Sequence, residues 1–168
     1  MSTATTRDQV EIHRTLRPGD AAAIGELHRR VYVPEFGLNE TFVTSVLAGV
    51  ERAVAAGWPE RGGGVWIVEQ GGVVRGALGL TDQGDGVGQV RWFVLESELR
   101  GRGLGRQLVG ELLELAREQG MRRLELGTFS ALTTAAHIYR AVGFRVTDAL
   151  ERTDWGPPVT FQFYALDL

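Results

Sequence analysis

The chain contains no cysteine, and this absence removes disulfides, thiolate zinc sites and a cysteine nucleophile. Its three histidines, His13, His28 and His137, are far apart in sequence and have no metal-binding spacing. We therefore expect no metal ion. Lysine is also absent, so every one of the 18 basic residues is arginine. A P-loop requires Gly-Lys-Ser/Thr and is excluded for that reason.

The sequence also has no surplus of positive charge and no long apolar run. Its formal net charge of -3 disfavours a nucleic-acid partner, because proteins bind the phosphate backbone through excess positive charge. No run reaches membrane-spanning length, and the polar segment 1–8 lacks the apolar core of a signal peptide. We therefore expect a cytoplasmic protein with no membrane partner. The length of 168 residues predicts a flexible tail at 1–8 and one domain over 9–168.

Apolar periodicity and turn residues predict a mixture of strands and helices. Asn39 is a favoured N-cap, Gly71-Gly72 is typical of a tight hairpin, and Gly120 and Gly143 are typical of helix ends. The predicted elements, in chain order, are a strand at 10–16, a helix from Asp20 to a linker at 33–38, a helix after Asn39, strands at 65–69, 73–80 and about 89–95, a helix to about Gln119, a strand at 123–128, a helix at 131–142, and strands at 144–150 and 159–165.

The stretch from Leu99 to Arg106, Leu-Arg-Gly-Arg-Gly-Leu-Gly-Arg, lies between a predicted strand and an amphipathic helix. Its glycines allow successive backbone N–H groups to point in one direction, and the helix start adds unpaired N–H groups. Arg100, Arg102 and Arg106 add charge that suits a pyrophosphate. A dinucleotide fingerprint needs glycine where Arg106 stands, so the turn predicts a different phosphate ligand.

Two motifs and the order of elements resemble one family. Arg100, Gly103 and Gly105 form Arg-x-x-Gly-x-Gly, which resembles the acetyl-CoA motif of the GCN5-related N-acetyltransferase (GNAT) family. The stretch 139–144, Tyr-Arg-Ala-Val-Gly-Phe, resembles the family's closing Tyr-x-x-x-Gly-Phe. The predicted order β-α-α-β-β-β-α-β-α-β-β is also similar to that of the family, so the resemblance extends over nearly the whole chain.

The resemblance implies an α+β GNAT fold. Three layers (α/β/α) are expected around a central mixed, mostly antiparallel sheet that splays between strands 4 and 5. The resemblance also implies acetyl-CoA as co-substrate, no metal, and a possible homodimer in which the last strands of two subunits pair. More narrowly, segments 90–95 and 128–133 resemble the acetyltransferase halves of MarR-type regulator–acetyltransferase fusions.

The same resemblance assigns the cofactor contacts and the general acid. Pantetheine amides are expected to pair with the main chain of the fourth strand like an added strand. Tyr139 is the predicted general acid for the departing thiolate, because an ordinary phenol pKa near ~10 is close to that of an alkyl thiol. Ser130 is also a predicted N-cap for the helix at 131–142. The predicted cofactor-binding residues are Phe93, Val94, Leu95, Arg100, Gly101, Arg102, Gly103, Leu104, Gly105, Arg106, Ser130 and Tyr139.

The sequence offers few groups for a general base. Positions at which relatives carry a carboxylate hold Gln89, Arg91 and Gly127 here, and Leu132 stands where the family has asparagine. Glu35 is the base candidate that remains. Either Glu35 removes the proton from the amine, or water and the small population of free amine suffice without a dedicated base.

The acceptor pocket is predicted around Tyr32, Glu35 and Phe36, an aromatic and acidic set that suits a cationic amine. Glu40 is expected to interact with the dipole of its own helix. Glu96, just before the glycine-rich turn, is expected to be a solvated residue at the end of a strand.

These observations predict transfer of an acetyl group from acetyl-CoA to a primary amine of a small molecule, by direct attack in a ternary complex. Without cysteine, an acetyl-cysteine intermediate is impossible. Two alternatives stay open at this point. The chain is either a protein N-acetyltransferase, or a catalytically idle domain that senses acetyl-CoA or binds a partner.

Overall fold

The computed structural model describes residues 9–168, so the tail predicted at 1–8 lies outside the described residues. A short 3-10 turn at Ser97–Leu99 precedes the third helix. The other elements, in chain order, are β1 (Val10–His13), α1 (Asp20–Phe36), α2 (Glu40–Ala55), β2 (Gly64–Gln70), β3 (Val73–Asp82), β4 (Val87–Leu95), α3 (Leu104–Glu118), β5 (Arg123–Phe129), α4 (Thr133–Ala141), β6 (Arg145–Arg152) and β7 (Val159–Asp167).

The strands form one seven-stranded sheet in the order β1-β2-β3-β4-β5-β7-β6. All neighbouring strands are antiparallel except β4 and β5, which run parallel and pair only through Val87–Gln89 and Arg123–Glu125. From residue 90 onward, β4 has no β5 partner. The mixed sheet and its splay between the fourth and fifth strands confirm the predicted fold class.

Helices cover both faces of the sheet because the central strands are apolar on both sides. Leu108 and Leu112 of α3 pack with Trp66 on one face, in a core that also includes α4. Leu27 of α1 and Val50 of α2 pack on the other face. These five side chains are almost completely buried, and each contributes roughly 2–3 kcal/mol. The result is the predicted three-layer α/β/α arrangement.

A β-bulge distorts β4 at the start of the splay. Arg91 lies opposite Gly79, but Val94 already lies opposite Ala77, so β4 has an extra residue over this interval. Trp92 adopts a positive φ of 53°, and its ring lies 4.5 Å from the Arg91 guanidinium carbon. Both side chains therefore lie on one face of the sheet. A bulge bends its strand, which helps to separate the carboxyl end of β4 from β5.

Several predicted boundaries are wrong, three of them around the first and last helices. The first strand ends at His13, not Leu16. The first helix continues through the predicted linker and past Pro34, because this proline removes only one hydrogen bond of the last turn and Gly37, with φ 68°, ends the helix at Phe36. The last helix begins at Thr133 rather than at residue 131. Among the helices of residues 9–168, none combines the length and apolar character needed to cross a membrane.

Candidate active site

The glycine-rich turn presents its backbone N–H groups to open space. Gly101 and Gly103 adopt left-handed φ values of 75° and 79°. Within residues 9–168, no acceptor takes a hydrogen bond from the N–H groups of residues 101–106, and the first helical bond is from Gln107 N–H to Gly103 O at 3.1 Å. Unbonded amides at a helix N-terminus, close to positive side chains, form an anion-binding site.

The three arginines of the turn have different partners. Arg100 donates from Nε to Leu95 O at 2.9 Å and from its two terminal nitrogens to Glu35 at 3.1 and 3.2 Å. Arg106 Nη2 lies 3.2 Å from His137 Nε2. Arg102 is exposed, and in the described part of the chain neither Arg102 nor Arg106 pairs with a carboxylate. Two of the three arginines therefore remain available for a diphosphate, while Arg100 is engaged in holding the turn.

A cavity of ≈ 600 Å³, here called the turn cavity, opens beside these amides. It is bounded by the carboxyl end of β4, the glycine-rich turn and the start of α4. Of the predicted cofactor residues, its walls include Phe93, Val94, Leu95, Arg100, Gly101, Gly103, Gly105 and Arg106, and they do not include Arg102, Leu104, Ser130 or Tyr139.

Gly105 has a packing role as well as a place in the motif. A Cβ at this position lies 3.0 Å from Ile138 Cδ1 and 3.3 Å from Phe93 Cζ. Glycine therefore lets α3 approach both α4 and β4 closely. Leu104 packs against the core on the same side of the sheet.

A second cavity of ≈ 580 Å³, here called the splay cavity, lies between β4 and β5. It is bounded by both strands, by α1, α2 and α4, and by β6 and β7. The two cavities share the wall residues Tyr32, Phe93, Leu132 and Ala135, so they meet between the separated strands. A ligand lying along β4 in the turn cavity reaches the splay cavity at this junction.

The main chain of Phe93–Leu95 borders the junction. Since β4 pairs with β5 only up to Gln89, these three residues have no strand partner on that side. The Tyr32 hydroxyl donates a hydrogen bond of 3.4 Å to Phe93 O. An extended chain carrying amides can therefore pair with this open edge as an added strand does.

Tyr139 lies on the wall of the splay cavity. It is 4% exposed, and its ring lies 6.0 Å from that of Phe93 and 5.7 Å from that of Phe144. Its hydroxyl makes no hydrogen bond to any residue of the described chain. Burial raises the pKa of Tyr139 far above the usual phenol value, and Tyr32 and Tyr164 add smaller effects in the same direction. The phenol is therefore neutral, with its hydroxyl proton in place.

The predicted acceptor residues lie on α1, where the rings of Tyr32 and Phe36 are 5.8 Å apart, but the three do not share one cavity wall. Tyr32 lines both cavities, while Phe36 lines only the turn cavity, on the cofactor side. Glu35 is not a wall residue of either cavity, and both of its oxygens accept from Arg100. Glu35 therefore does not give either cavity the acidic wall that the sequence predicts.

Two further carboxylates are paired. Glu96 is not the solvated residue that was predicted: its side chain is 17% exposed and accepts from Arg30 at 2.8 Å and from Arg75 at 2.6 Å. Glu40 begins α2, as its predicted dipole role requires, and also accepts from Arg29 at 2.7 Å. This hydrogen bond lowers the pKa of Glu40.

Ser130 is not the N-cap of α4. That position is Leu132, which provides no side-chain cap, and the Ser130 N–H donates to Thr160 O at 2.9 Å. The residues that face the turn cavity at the start of this helix are instead Thr133 and Thr134. The sequence signal for these two threonines is that they lie between the Arg-x-x-Gly-x-Gly motif and the Tyr-x-x-x-Gly-Phe motif.

The structure also brings two unpredicted groups to the splay cavity, His28 and Arg91. His28 is 4% exposed, and its Nδ1–H donates to Ile24 O at 2.7 Å. Burial lowers the pKa of His28 to about 4, so its imidazole is neutral near pH 7. Sequence spacing gave no signal for His28, because its neighbours in the cavity come from distant segments.

Comparison with known proteins agrees with this geometry. The acetyltransferase (GNAT) family profile matches residues 35–144. The L-amino acid N-acyltransferase MnaT of Escherichia coli K12 is 28% identical over 164 residues, which are 92% of each chain. Rat N-acetyltransferase 8 is 34% identical over 93 residues, 52% of this chain and 42% of that protein. The chain thus spans less than half the length of this mammalian relative.

Solved structures share the fold. The yncA protein of Salmonella typhimurium, solved with its cofactor acetyl-CoA, superposes with a TM-score of 0.69 at 23% identity and covers 96% of this chain and 95% of that one. A ribosomal-protein-alanine N-acetyltransferase from Brucella melitensis has a TM-score of 0.70 at 21% identity, with 94% and 99% covered. The family profile covers more than half of the chain and includes both the glycine-rich turn and the motif at 139–144, so the chain belongs to the acetyltransferase (GNAT) family, whose co-substrate is acetyl-CoA.

Proposed function

We propose that this GNAT acetyltransferase transfers the acetyl group of acetyl-CoA to a primary amine of a small molecule, by direct attack in a ternary complex. The observation that carries the proposal is the run of unbonded N–H groups at residues 101–106, at the mouth of a cavity that leads along β4 to a second cavity. The first cavity suits the cofactor and the second suits the acceptor.

The turn residues fit the diphosphate of coenzyme A. A Cβ added at Gly101 or Gly103 meets nothing within 4 Å, so the space above both residues is open to a ligand. The amides of 101–106 donate to the phosphate oxygens, and Arg102 and Arg106 supply charge. The open edge of Phe93–Leu95 holds the pantetheine amides, which brings the thioester to the junction of the two cavities.

At the junction, bound acetyl-CoA supplies an acetyl group activated as a thioester. The Val94 or Leu95 N–H polarises the thioester carbonyl, and the fixed positions of both reactants provide most of the rate enhancement. Tyr139 donates its hydroxyl proton to the sulfur of the departing coenzyme. Burial raises the pKa of Tyr139 and also disfavours a charged thiolate in the same site, so the sulfur takes up the proton as the C–S bond breaks.

We assign no dedicated base. Glu35, the candidate from the sequence, is held by Arg100 and is not a wall residue of the splay cavity. His28 is on that wall, but a nitrogen with a pKa of about 4 is a poor base for an ammonium ion. The free-amine fraction of the acceptor therefore attacks. Water takes up the proton that the amine nitrogen loses and returns a proton to Tyr139, which restores its hydroxyl.

A small acceptor suits a cavity of ≈ 580 Å³ between the strands, and the name of the MnaT relative supports the same class. Two narrower points remain proposals. The first is the resemblance of segments 90–95 and 128–133 to MarR-type fusions, and the second is a homodimer formed through the last strands. For the homodimer, the support is that β6, an outer strand of the sheet, is almost entirely exposed.

Two measurements test the proposal. Acetyl-CoA at about 100 times its dissociation constant should stabilise the protein by about 2.7 kcal/mol, which a thermal shift detects. A panel of small amines should release coenzyme A thiol with at least one acceptor. Binding without thiol release supports the sensor alternative, thiol release only with peptides supports a protein N-acetyltransferase, and the absence of binding overturns the assignment of the turn.

A further inference from the structure

Arg91 lies on the wall of the splay cavity and pairs with no carboxylate of residues 9–168. Across residues 9–168, its guanidinium makes no hydrogen bond and no ion pair, and its close contact is with the Trp92 ring at 4.5 Å. Burial lowers the pKa of Arg91, and the exposed Arg52 of α2 lowers it further. Among the described residues, no carboxylate offsets these two effects. A half-buried charge without a partner is costly, so this arrangement is typical of a site that binds an anionic group of a ligand.

The carboxylates on this wall either pair with another arginine or lie several strands away from Arg91. Glu125 accepts from Arg123 at 2.9 Å. Asp148 lies on β6, three strands away from β4, and accepts from its neighbour Ala149 N–H at 2.8 Å. Neither carboxylate pairs with Arg91. A half-buried guanidinium beside open space therefore gives this end of the cavity a net positive charge.

Two features of the backbone place the guanidinium there. The bulge of β4 turns Arg91 and Trp92 to the same face, under α2. Gly49 of α2 leaves room for the side chain, because a Cβ at that position lies 2.9 Å from Arg91 Nη2. The position thus depends on a specific glycine as well as on the bulge.

We propose that Arg91 binds a carboxylate of the acceptor, so that the acceptor is an amine that also carries an acid, in the simplest case an amino acid. The inference rests on the proposed function and narrows its acceptor class. Arg91 precedes Phe93 by two residues in β4, with the bulge at Trp92 between them, and Phe93 lies at the junction where the amine attacks. A carboxylate on Arg91 and an amine at the junction are separated by a short carbon chain.

The test compares matched acceptors in the thiol-release assay. Each common L-amino acid is measured beside its carboxamide and its decarboxylated amine, which lack the carboxylate. Every kcat/KM is calculated for the free-amine form of the acceptor, because removal of the carboxylate also changes the pKa of the amine. For the best amino acid, kcat/KM should exceed that of its carboxamide by about 10- to 100-fold, since a charge-assisted pair is lost. Arg91→Gln should remove this preference mainly through KM, leaving the carboxamide within about threefold of wild type, because the neutral acceptor makes no ion pair.

Two controls frame the result. Arg91→Lys keeps the charge and should retain part of the preference, while Arg117→Gln, at an exposed position in the last turn of α3, should leave it unchanged. Retained stabilisation by acetyl-CoA shows that a variant is folded. If Arg91→Gln does not fold, Gly49→Ala takes its place, because it displaces only the flexible end of Arg91 and should lower the preference.

The outcomes separate the two proposals. If none of the amines tested gives thiol release, the proposed function is overturned, and the inference with it. Equal kcat/KM for amino acids and carboxamides in wild type overturns the inference alone. A preference that Arg91→Gln, or Gly49→Ala in its place, leaves intact assigns the carboxylate to another group and also overturns the inference.

Discussion

Glu35 and Arg100 join the end of α1 to the beginning of the glycine-rich turn. Both carboxylate oxygens accept from the guanidinium, at 3.1 and 3.2 Å, and the same guanidinium donates to Leu95 O at 2.9 Å. Two walls of the turn cavity are therefore connected through one arginine. The pair ties the turn to α1, and we expect it to help to hold the amides of 101–106 at the cavity.

Replacement of Glu35 by Gln tests this role against that of a general base. Both side chains are 34% exposed, so the variant should lose less than about 1 kcal/mol of unfolding free energy. The dissociation constant of acetyl-CoA should rise a few-fold, because Arg100 loses its anchor, and kcat should stay within about threefold, below the 10²–10⁴-fold effect of a general base. Calorimetry measures the dissociation constant of acetyl-CoA, and steady-state kinetics measure kcat. A large fall in kcat with unchanged cofactor affinity instead identifies Glu35 as the base.

Gly103 and Gly120 provide a matched pair for the turn. Both have left-handed φ values, 79° and 77°, and a Cβ at either meets nothing within 4 Å. Alanine at either position should therefore cost roughly 1–2 kcal/mol of stability. Of these two glycines, Gly103 lines the turn cavity and Gly120 does not. Gly103→Ala alone should therefore also weaken acetyl-CoA binding by about tenfold or more, and a tenfold loss corresponds to about 1.4 kcal/mol of binding free energy. Equal affinities in the two variants contradict a cofactor contact at Gly103.

Local patterns predicted the parts of the site that depend on consecutive residues. The glycines of 101–105 and the motif at 139–144 are short signals, and the fold places Gly101, Gly103 and Gly105 on the wall of the turn cavity. The N-cap at Asn39 is also local, and its side chain accepts from Phe42 N–H at 3.2 Å. Each of these features is determined by the chemistry of residues within a few positions of one another.

Ion pairs between distant segments could not be predicted in this way. Glu96 pairs with Arg30, which is 66 residues away, and its burial follows from that pair. The place of Arg91 depends on the bulge at Trp92, where a bulky residue adopts positive φ. No local preference favours this conformation for tryptophan, and packing against Gly79 and α2 imposes it.

Tyr139→Phe should separate catalysis from binding. The variant keeps the ring contacts with Phe93 and Phe144 and removes only the hydroxyl, so acetyl-CoA affinity should be unchanged. Loss of a general acid should lower kcat by about 100-fold or more. Tyr164→Phe serves as the control, since its hydroxyl makes one long hydrogen bond of 3.4 Å to Gln162. Wild-type turnover in Tyr139→Phe removes the acid role and leaves a packing role.

His28 should make stability depend on pH between about 4 and 6.5. Burial lowers its pKa from 6.5 to about 4, so the unfolded chain binds a proton that the folded chain rejects. Stability from this group is therefore fully present above pH 6.5 and is lost as pH falls toward 4. The difference between the folded and unfolded pKa values of His28 corresponds to about 3 kcal/mol of unfolding free energy in total.

Urea unfolding of wild type and His28→Asn at pH 7.5 and pH 5 measures this effect. Asparagine keeps a donor near Ile24 O but does not titrate, so the variant should lose about 2 kcal/mol less than wild type between the two pH values. Carboxylates that titrate in the same range act equally on both proteins, and their effect cancels in the comparison. His137→Asn, at an exposed position, should follow the wild-type curve. If His28→Asn loses as much stability as wild type, the imidazole is already protonated or solvated in the folded protein.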